Sequence, residues 1–197
     1  MTGLSKPTIV KWFSILRDVC SQRLLDHPIQ IGGIGEVVEI DESLVSRRKY
    51  NIGHAVPQRW VFGGVNPVTN IGFLQFVPDR SAATLLPIIQ QRIAAGTTII
   101  SDQWAPYSNV ANIPVVPPYD HRTVNHSEEF VNSHGDTTNH IEAMWNNAKR
   151  KLKKMCGTTT DMLPGYLDTF MWKQQYGKTA DMCFDSILLH ISERYPV

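Results

Sequence analysis

"GEVVEIDESLV", Gly35 to Val45, is the stretch on which the fold turns. Val37, Val38 and Ile40 make an apolar, β-branched run of strand type, and Asp41 is expected at its end. A carboxylate is costly inside a core. At the end of a buried strand it marks the sheet edge where open α/β folds bind ligands. A second stretch repeats the pattern. "TTIISDQWAPYSNV", Thr97 to Val110, reads as a short buried strand ending near Asp102, followed by a brief helix. Acidic residues near strand ends are also ordinary turn residues, so position alone leaves both readings open.

Working outward, "RWVFGGVNPVTNIGFLQFVP" (59–78) gives two strands joined by the turn "NPVTN". "SAATLLPIIQQRIAAG" (81–96) has helical periodicity, with Pro87 bending it or shifting its start and Gly96 as a stop. "IPVV" (113–116) is the expected last strand, and a long polar segment from Pro117 to Thr138 follows it. Three strands, a helix, a strand, a helix, a strand and then helices is the order of an α/β layer fold with a mixed sheet. No repeat, low-complexity tract or glycine-rich phosphate loop interrupts it.

The third acidic residue of interest lies in "GDTTNHIEAMWNNAKRKLKK", Gly135 to Lys154. Ile141, Trp145, Ala148, Leu152 and Met155 recur at helical spacing and form one apolar stripe. Thr137, Thr138 or Asn139 is placed to cap the helix, and Gly157 to stop it. Glu142 and Lys149 are seven apart, two turns, so both can face one site. Late basic residues also suit the helix dipole, so the charge pattern has a structural explanation as well.

The 197 residues imply one substantial domain with a small appendage. At 42% hydrophobic and 19% charged the chain is globular. A net charge of +1 does not announce a nucleic-acid binder, so any such role must rest on local clusters. Cys20, Cys156 and Cys183 fit neither a disulfide framework nor a zinc knuckle and suggest a reducing compartment. No secretory signal or membrane span is read. "LSKPTIVKWFSILRDVCSQRLL" (4–25) reads as a helix capped by Ser5 with Pro7 in its first turn. Ile9, Trp12, Phe13 and Leu16 are its expected apolar face. Its Gly-Leu-Ser entry is that of the second helix of a helix-turn-helix, with packing or dimerisation as the alternative use. "DHPIQIGGIG" (26–35) is a linker. "TDMLPGYLDTFMWKQQYG" and "DMCFDSILLHISERY" close the chain as amphipathic helices.

Two or three converging carboxylates favour a hard cation, because their mutual repulsion is otherwise costly. No serine, cysteine or histidine constellation competes for a catalytic role. His126 and His134 read first as loop or packing residues, and Trp145 as core rather than a base-stacking platform.

"VEIDES" with "RRKYNIGH", the run from "WVFGGV" through "ISDQWAPYSNV", "HRTVNHSEEFVN", "HGDTTNHIEAMWNNAKRKLK" and "GYLDTFMWKQQYG" together resemble the transposase domain of one group of DDE insertion-sequence enzymes. The eukaryotic relatives of that group are the Merlin-type DNA transposons. The likeness runs from about Glu36 to Gly177. It implies a ribonuclease-H-like core, a divalent metal (Mg²⁺ or Mn²⁺), and double-stranded DNA, as transposon ends and target, for substrate. It matches Asp41, Asp102 and Glu142 to the three catalytic, metal-binding carboxylates, with Lys149 as the helix lysine behind the third. An Asn serves as third ligand in some members, which keeps Asn139 open. Arg47, Arg48, Lys49, Lys149, Arg150 and Lys153 become candidate contacts to DNA phosphates; a solvated charged face is the plainer reading of each.

The expected organisation is a truncated helix-turn-helix-like helix and linker over 1–30, a catalytic domain over 31–178 and a C-terminal helix over 179–197. A homodimer or higher oligomer on DNA is expected, in the nucleus of a eukaryote or at the nucleoid of a bacterium. The competing functions are an inactive, domesticated or truncated DNA-binding derivative, and a ribonuclease-H-like nuclease that cuts without joining.

Overall fold

A computed structural model describes residues 3–45, 58–124, 137–155 and 157–196. Two compact units divide the chain, one from Ile29 to Thr160 and one joining Met1–Pro28 to Asp161–Val197. Residues 161–178, expected within the catalytic domain, thus group with the terminal helices.

The first unit holds a five-stranded sheet in the order β3-β2-β1-β4-β5. Its strands are β1 (Val37–Leu44), β2 (Trp60–Val65), β3 (Gly72–Val77), β4 (Thr98–Asp102) and β5 (Asp120–Val124). The first three are antiparallel neighbours, while β4 runs parallel to β1 and β5 parallel to β4. Three antiparallel strands extended by two parallel ones make this a ribonuclease-H-like sheet. The helices of the unit are α2 (Ala82–Arg92), a 3₁₀ helix η1 (Ala105–Asn112) and α3 (Asn139–Lys154).

The β2–β3 turn forms as its residues dictate. Asn66 Oδ1 accepts from the backbone N–H groups of Val68 and Thr69, an Asx turn, and Asn70 takes φ 56°. Ser81 caps α2 through the Thr84 N–H, and Pro87 is accommodated inside the helix.

Two expectations about strands are corrected. Asp41 does not end β1, which continues through Leu44 because β2 pairs with it as far as Trp60. The last strand is "DHRTV" (120–124), not "IPVV". Ile113 instead closes η1, and Pro114, Pro117 and Pro118 deprive that stretch of ladder donors. β5 pairs with β4 from Thr98–Asp120 to Asp102–Val124. As an edge strand it exposes much of its surface, so its polar sequence carries no apolar signal.

The second unit consists of α1 (Lys6–Asp26), α4 (Leu163–Tyr176) and α5 (Ala180–Arg194). Ser5 caps α1 as expected. The buried face of α1 is Val19, Cys20 and Leu24, whereas Trp12 and Phe13 are 54% and 60% exposed. Only the C-terminal half of α1 is packed. In this unit the Trp172 indole N–H donates to His190 Nδ1 at 2.9 Å, and Arg23 pairs with Glu193.

Candidate active site

β1 alternates, as any strand does, so Glu39, Asp41 and Ser43 share one face and Ile40 and Glu42 the other. The first row faces α3. Glu39 accepts from the backbone N–H groups of His140 and Ile141 at 2.9 and 3.0 Å. Asp41 Oδ2 accepts from the Trp145 indole at 3.0 Å, and Lys149 Nζ donates to Ser43 at 2.5 Å. Two residues of strand advance about 6.7 Å and four of helix about 6 Å. Strand and helix therefore stay in step over three successive contacts.

Glycine makes that approach possible. Gly63 lies opposite Asp41 in the ladder. A Cβ there would stand 2.7 Å from Leu74 Cδ2 and 3.1 Å from Trp145 Cη2. A Cβ on Gly72 would meet Met144 Sδ at 2.8 Å. Ile141, Met144, Trp145, Ala148 and Leu152 are the buried residues of α3.

The parallel pairing Val37–Thr98, Val38–Ile99, Glu39–Ile100, continued by two residues, sets Asp41 beside Asp102. Burial pushes the Asp41 carboxyl up to about 7, and the negative charges of Glu42 and Asp102 add to it, against hydrogen bonds from the Glu42 backbone and Trp145. Asp102 turns one oxygen to the Trp104 backbone N–H at 3.0 Å.

On the opposite face, Glu42 is enclosed. Tyr107 donates to it at 2.5 Å and Arg80 pairs with it at 3.1 Å. Arg80 lies over the rings of Trp60 and Trp104, 3.8 and 4.6 Å from their centroids. Burial raises the Glu42 carboxyl and Asp102 adds to that, while Tyr107 and Arg80 oppose it. Lys149 is half-buried, and burial lowers its pKa against the pull of Asp41.

Glu142 and Asn139 are both exposed in the first turn of α3. Glu142 and Lys149 differ by about 20° around the helix axis, one heptad apart. At about 100° per residue both fall on the same flank of Trp145, within about 60° of it, while Asn139 is about 120° away. Arg150 is exposed with a bond to Asn147, and Lys153 is exposed one turn beyond Lys149. Arg47, Arg48, Lys49, His126 and His134 lie outside the described residues.

The donor set bears on whether a divalent cation suits the site. Asp41 and Asp102 offer adjacent hard oxygens, and burial with the negative charges of Glu42 and Asp102 raises the Asp41 carboxyl, a setting that favours a cation. Among the described residues no three His, Cys, Asp or Glu side chains are grouped closely enough to enclose an ion. The aspartate pair fits a cation, and α3 is the described element from which a third ligand could come.

Sequence reading passed over Glu39, Glu42, Arg80 and Gly63. The available signal for the first two was an acid on each side of Asp41 in an otherwise apolar strand, and for Gly63 a Gly-Gly pair inside a strand.

The sheet order, with an aspartate pair at the parallel junction and a helix laid over it, defines a ribonuclease-H-like fold. Residues 33–175 match the ISXO2-like transposase domain, and the chain belongs to that family of DDE-class insertion-sequence transposases. It is 32% identical over 97 residues to an uncharacterized transposase-like protein of Haemophilus influenzae, covering 49% of this chain and 75% of that protein. Among solved structures it is similar to the catalytic core domain of BIV integrase, with a TM-score of 0.49 and 13% identity over 81% of this chain and 98% of that one. It is also similar to the HTLV-2 integrase catalytic core domain in complex with magnesium, with a TM-score of 0.39 and 8% identity over 71% of this chain and 84% of that one.

Proposed function

We propose that this protein is a metal-dependent DNA transposase that hydrolyses a phosphodiester at a transposon end and joins that end to target DNA. The observation that carries the reading is the register placing Asp41 beside Asp102 beneath α3. Asp41, Asp102 and Glu142 would hold Mg²⁺ or Mn²⁺. When bound, such ions lower the pKa of an attacking water or 3′-hydroxyl and stabilise the leaving oxygen. Glu142 takes precedence over Asn139 because its place on the helix lies beside Lys149, whose amine already reaches β1.

The residues around the acids supply position. Trp145 fixes one oxygen of Asp41 and so orients the carboxylate. The Trp104 backbone does the same for Asp102. Lys149, Arg150 and Lys153, with Arg47, Arg48 and Lys49, would neutralise backbone phosphates and hold the DNA without reading its sequence. The active form is a homodimer or larger assembly on DNA, as family membership suggests. No described helix is long and apolar enough to cross a membrane.

The test is a strand-joining assay with labelled transposon ends in Mg²⁺. Joined product that is lost in Asp41→Asn and Asp102→Asn supports a transposase. Cutting without joining supports a nuclease, and DNA binding without either supports an inactive derivative.

A further inference from the structure

Helix α3 begins without the cap its sequence offers. Thr138 occupies the N-cap position and makes no side-chain cap bond. The N–H groups of its first three residues, which no intrahelical carbonyl can reach, are nevertheless satisfied. Asn139 donates to Thr137 Oγ1. The other two, His140 and Ile141, donate to the carboxylate of Glu39, which also bonds His140 Nδ1 at 2.7 Å. Glu39 is 2% exposed and lies on β1, 101 residues from His140 in sequence.

We infer that Glu39 is a positioning residue: a latch on β1 that sets the register of α3 and thereby places Glu142 and Lys149 against the Asp41–Asp102 pair. Three contacts join strand and helix, and they differ in kind. Those at Asp41 and Ser43 run to the ends of long side chains, which can swing. That at Glu39 runs to helix backbone, so it alone fixes where the helix starts along the strand. It is also the contact next to Glu142, the group with the longest reach still to make. A helix displaced by one residue would turn Glu142 about 100° away from Lys149's neighbourhood on β1.

Reach, rather than charge, is the property this role needs. Glu39→Asp keeps the charge and withdraws the carboxylate by one methylene. Glu39→Gln keeps the reach and one accepting oxygen and loses the charge. A residue acting through its field would be hurt more by Gln; a latch is hurt more by Asp.

The kinetic part rests on the proposed transposase reading, so the protein is also followed by ¹⁵N-tryptophan NMR. Five indole signals are expected, one per Trp, with Trp145 assigned by Trp145→Phe. The Trp145 signal reports its bond to Asp41 whether or not the protein cuts DNA. In Glu39→Asp that signal moves while the other indoles stay, and Mg²⁺-dependent nicking falls by on the order of a hundredfold, far more than DNA affinity in Ca²⁺ falls. Glu39→Gln shows smaller changes in both. A folded Glu39→Asp protein with Trp145 unmoved, or a Gln variant more damaged than the Asp variant, overturns the latch. Should Glu39→Asp fail to fold, Glu39→Gln decides: a near-native Trp145 signal supports reach over charge, and a displaced one contradicts it. No nicking by the wild type, with a moving Trp145 signal, rejects the transposase reading and keeps the latch.

Discussion

Asp41 is held in a place that suits a charge only when something positive joins it. Its folded pKa of about 7 stands above the ordinary 3.8. The folded state therefore binds the proton more tightly than the unfolded chain, and stability falls as pH rises between those two values and levels off above the upper one. The span corresponds to about 4 kcal/mol at most. Thermal melts in EDTA should show the midpoint dropping across this window, and Asp41→Asn should flatten the dependence. Mg²⁺ added above the folded pKa should raise the wild-type midpoint and leave that of Asp41→Asn unchanged; parallel behaviour of the two proteins would reject the carboxylate as the source. Lys149 carries a separate expectation. Lys149→Ala should shallow the log–log salt dependence of duplex binding by about 0.9, one phosphate's worth. An unchanged slope in a binding titration would leave Lys149 bonded to Ser43 and nothing more. Asp41, Asp102 and the Glu142–Lys149 spacing were legible in sequence because each sits in a recognisable pattern. Glu39 was not, since its partner is the backbone of a helix distant in sequence, and no local pattern encodes that.

The sheet and α3 are fitted to each other by what is missing as much as by what is present. Gly63 leaves room for the Trp145 ring directly across the ladder from Asp41. Gly63→Ala should cost about 1–3 kcal/mol by overpacking and should displace the Trp145 indole. Chemical denaturation and the indole signal measure the two effects, and a neutral Gly63→Ala would show that α3 does not sit so close. On the other face, Arg80 neutralises Glu42 between two tryptophan rings. Removing it leaves a buried carboxylate with Tyr107 alone. Arg80→Ala should destabilise by about 1–3 kcal/mol. Arg80→Lys should recover only part of that, because an ammonium cannot stack or fork as a guanidinium does; full recovery by Lys would reduce the site to simple charge pairing. The antiparallel hairpins and α3 were readable because apolar periodicity reports burial. β5 was misplaced because an edge strand need not be apolar, and "IPVV" attracted the assignment although its prolines deny it a ladder.

At the scale of the whole molecule, the nearly neutral chain sets a local group of acids against a local group of bases. Glu39, Asp41 and Asp102 gather on β1 and β4, and Lys149, Arg150 and Lys153 follow one another along α3. Net charge in the sequence hid this, because composition sums what the fold separates. The helical unit shows the same limit: Trp12 and Phe13 read as a packed face of α1, yet burial falls on Val19, Cys20 and Leu24, since helical spacing identifies a stripe and not which part of it finds a partner. Under the proposed function the acid pair is joined by a third acid from α3, and the cations of that helix meet the substrate's phosphates. Metal-dependent nicking of an end-containing duplex, compared between wild type and Glu142→Gln with DNA binding followed in Ca²⁺, tests that assembly most directly. Wild type should nick in Mg²⁺, and Glu142→Gln should lose on the order of a hundredfold or more in rate while binding DNA normally. Asn139→Ala should nick nearly as wild type. Nicking by Glu142→Gln at the wild-type rate would contradict the assignment, and with it the placement of the metal between β1, β4 and α3.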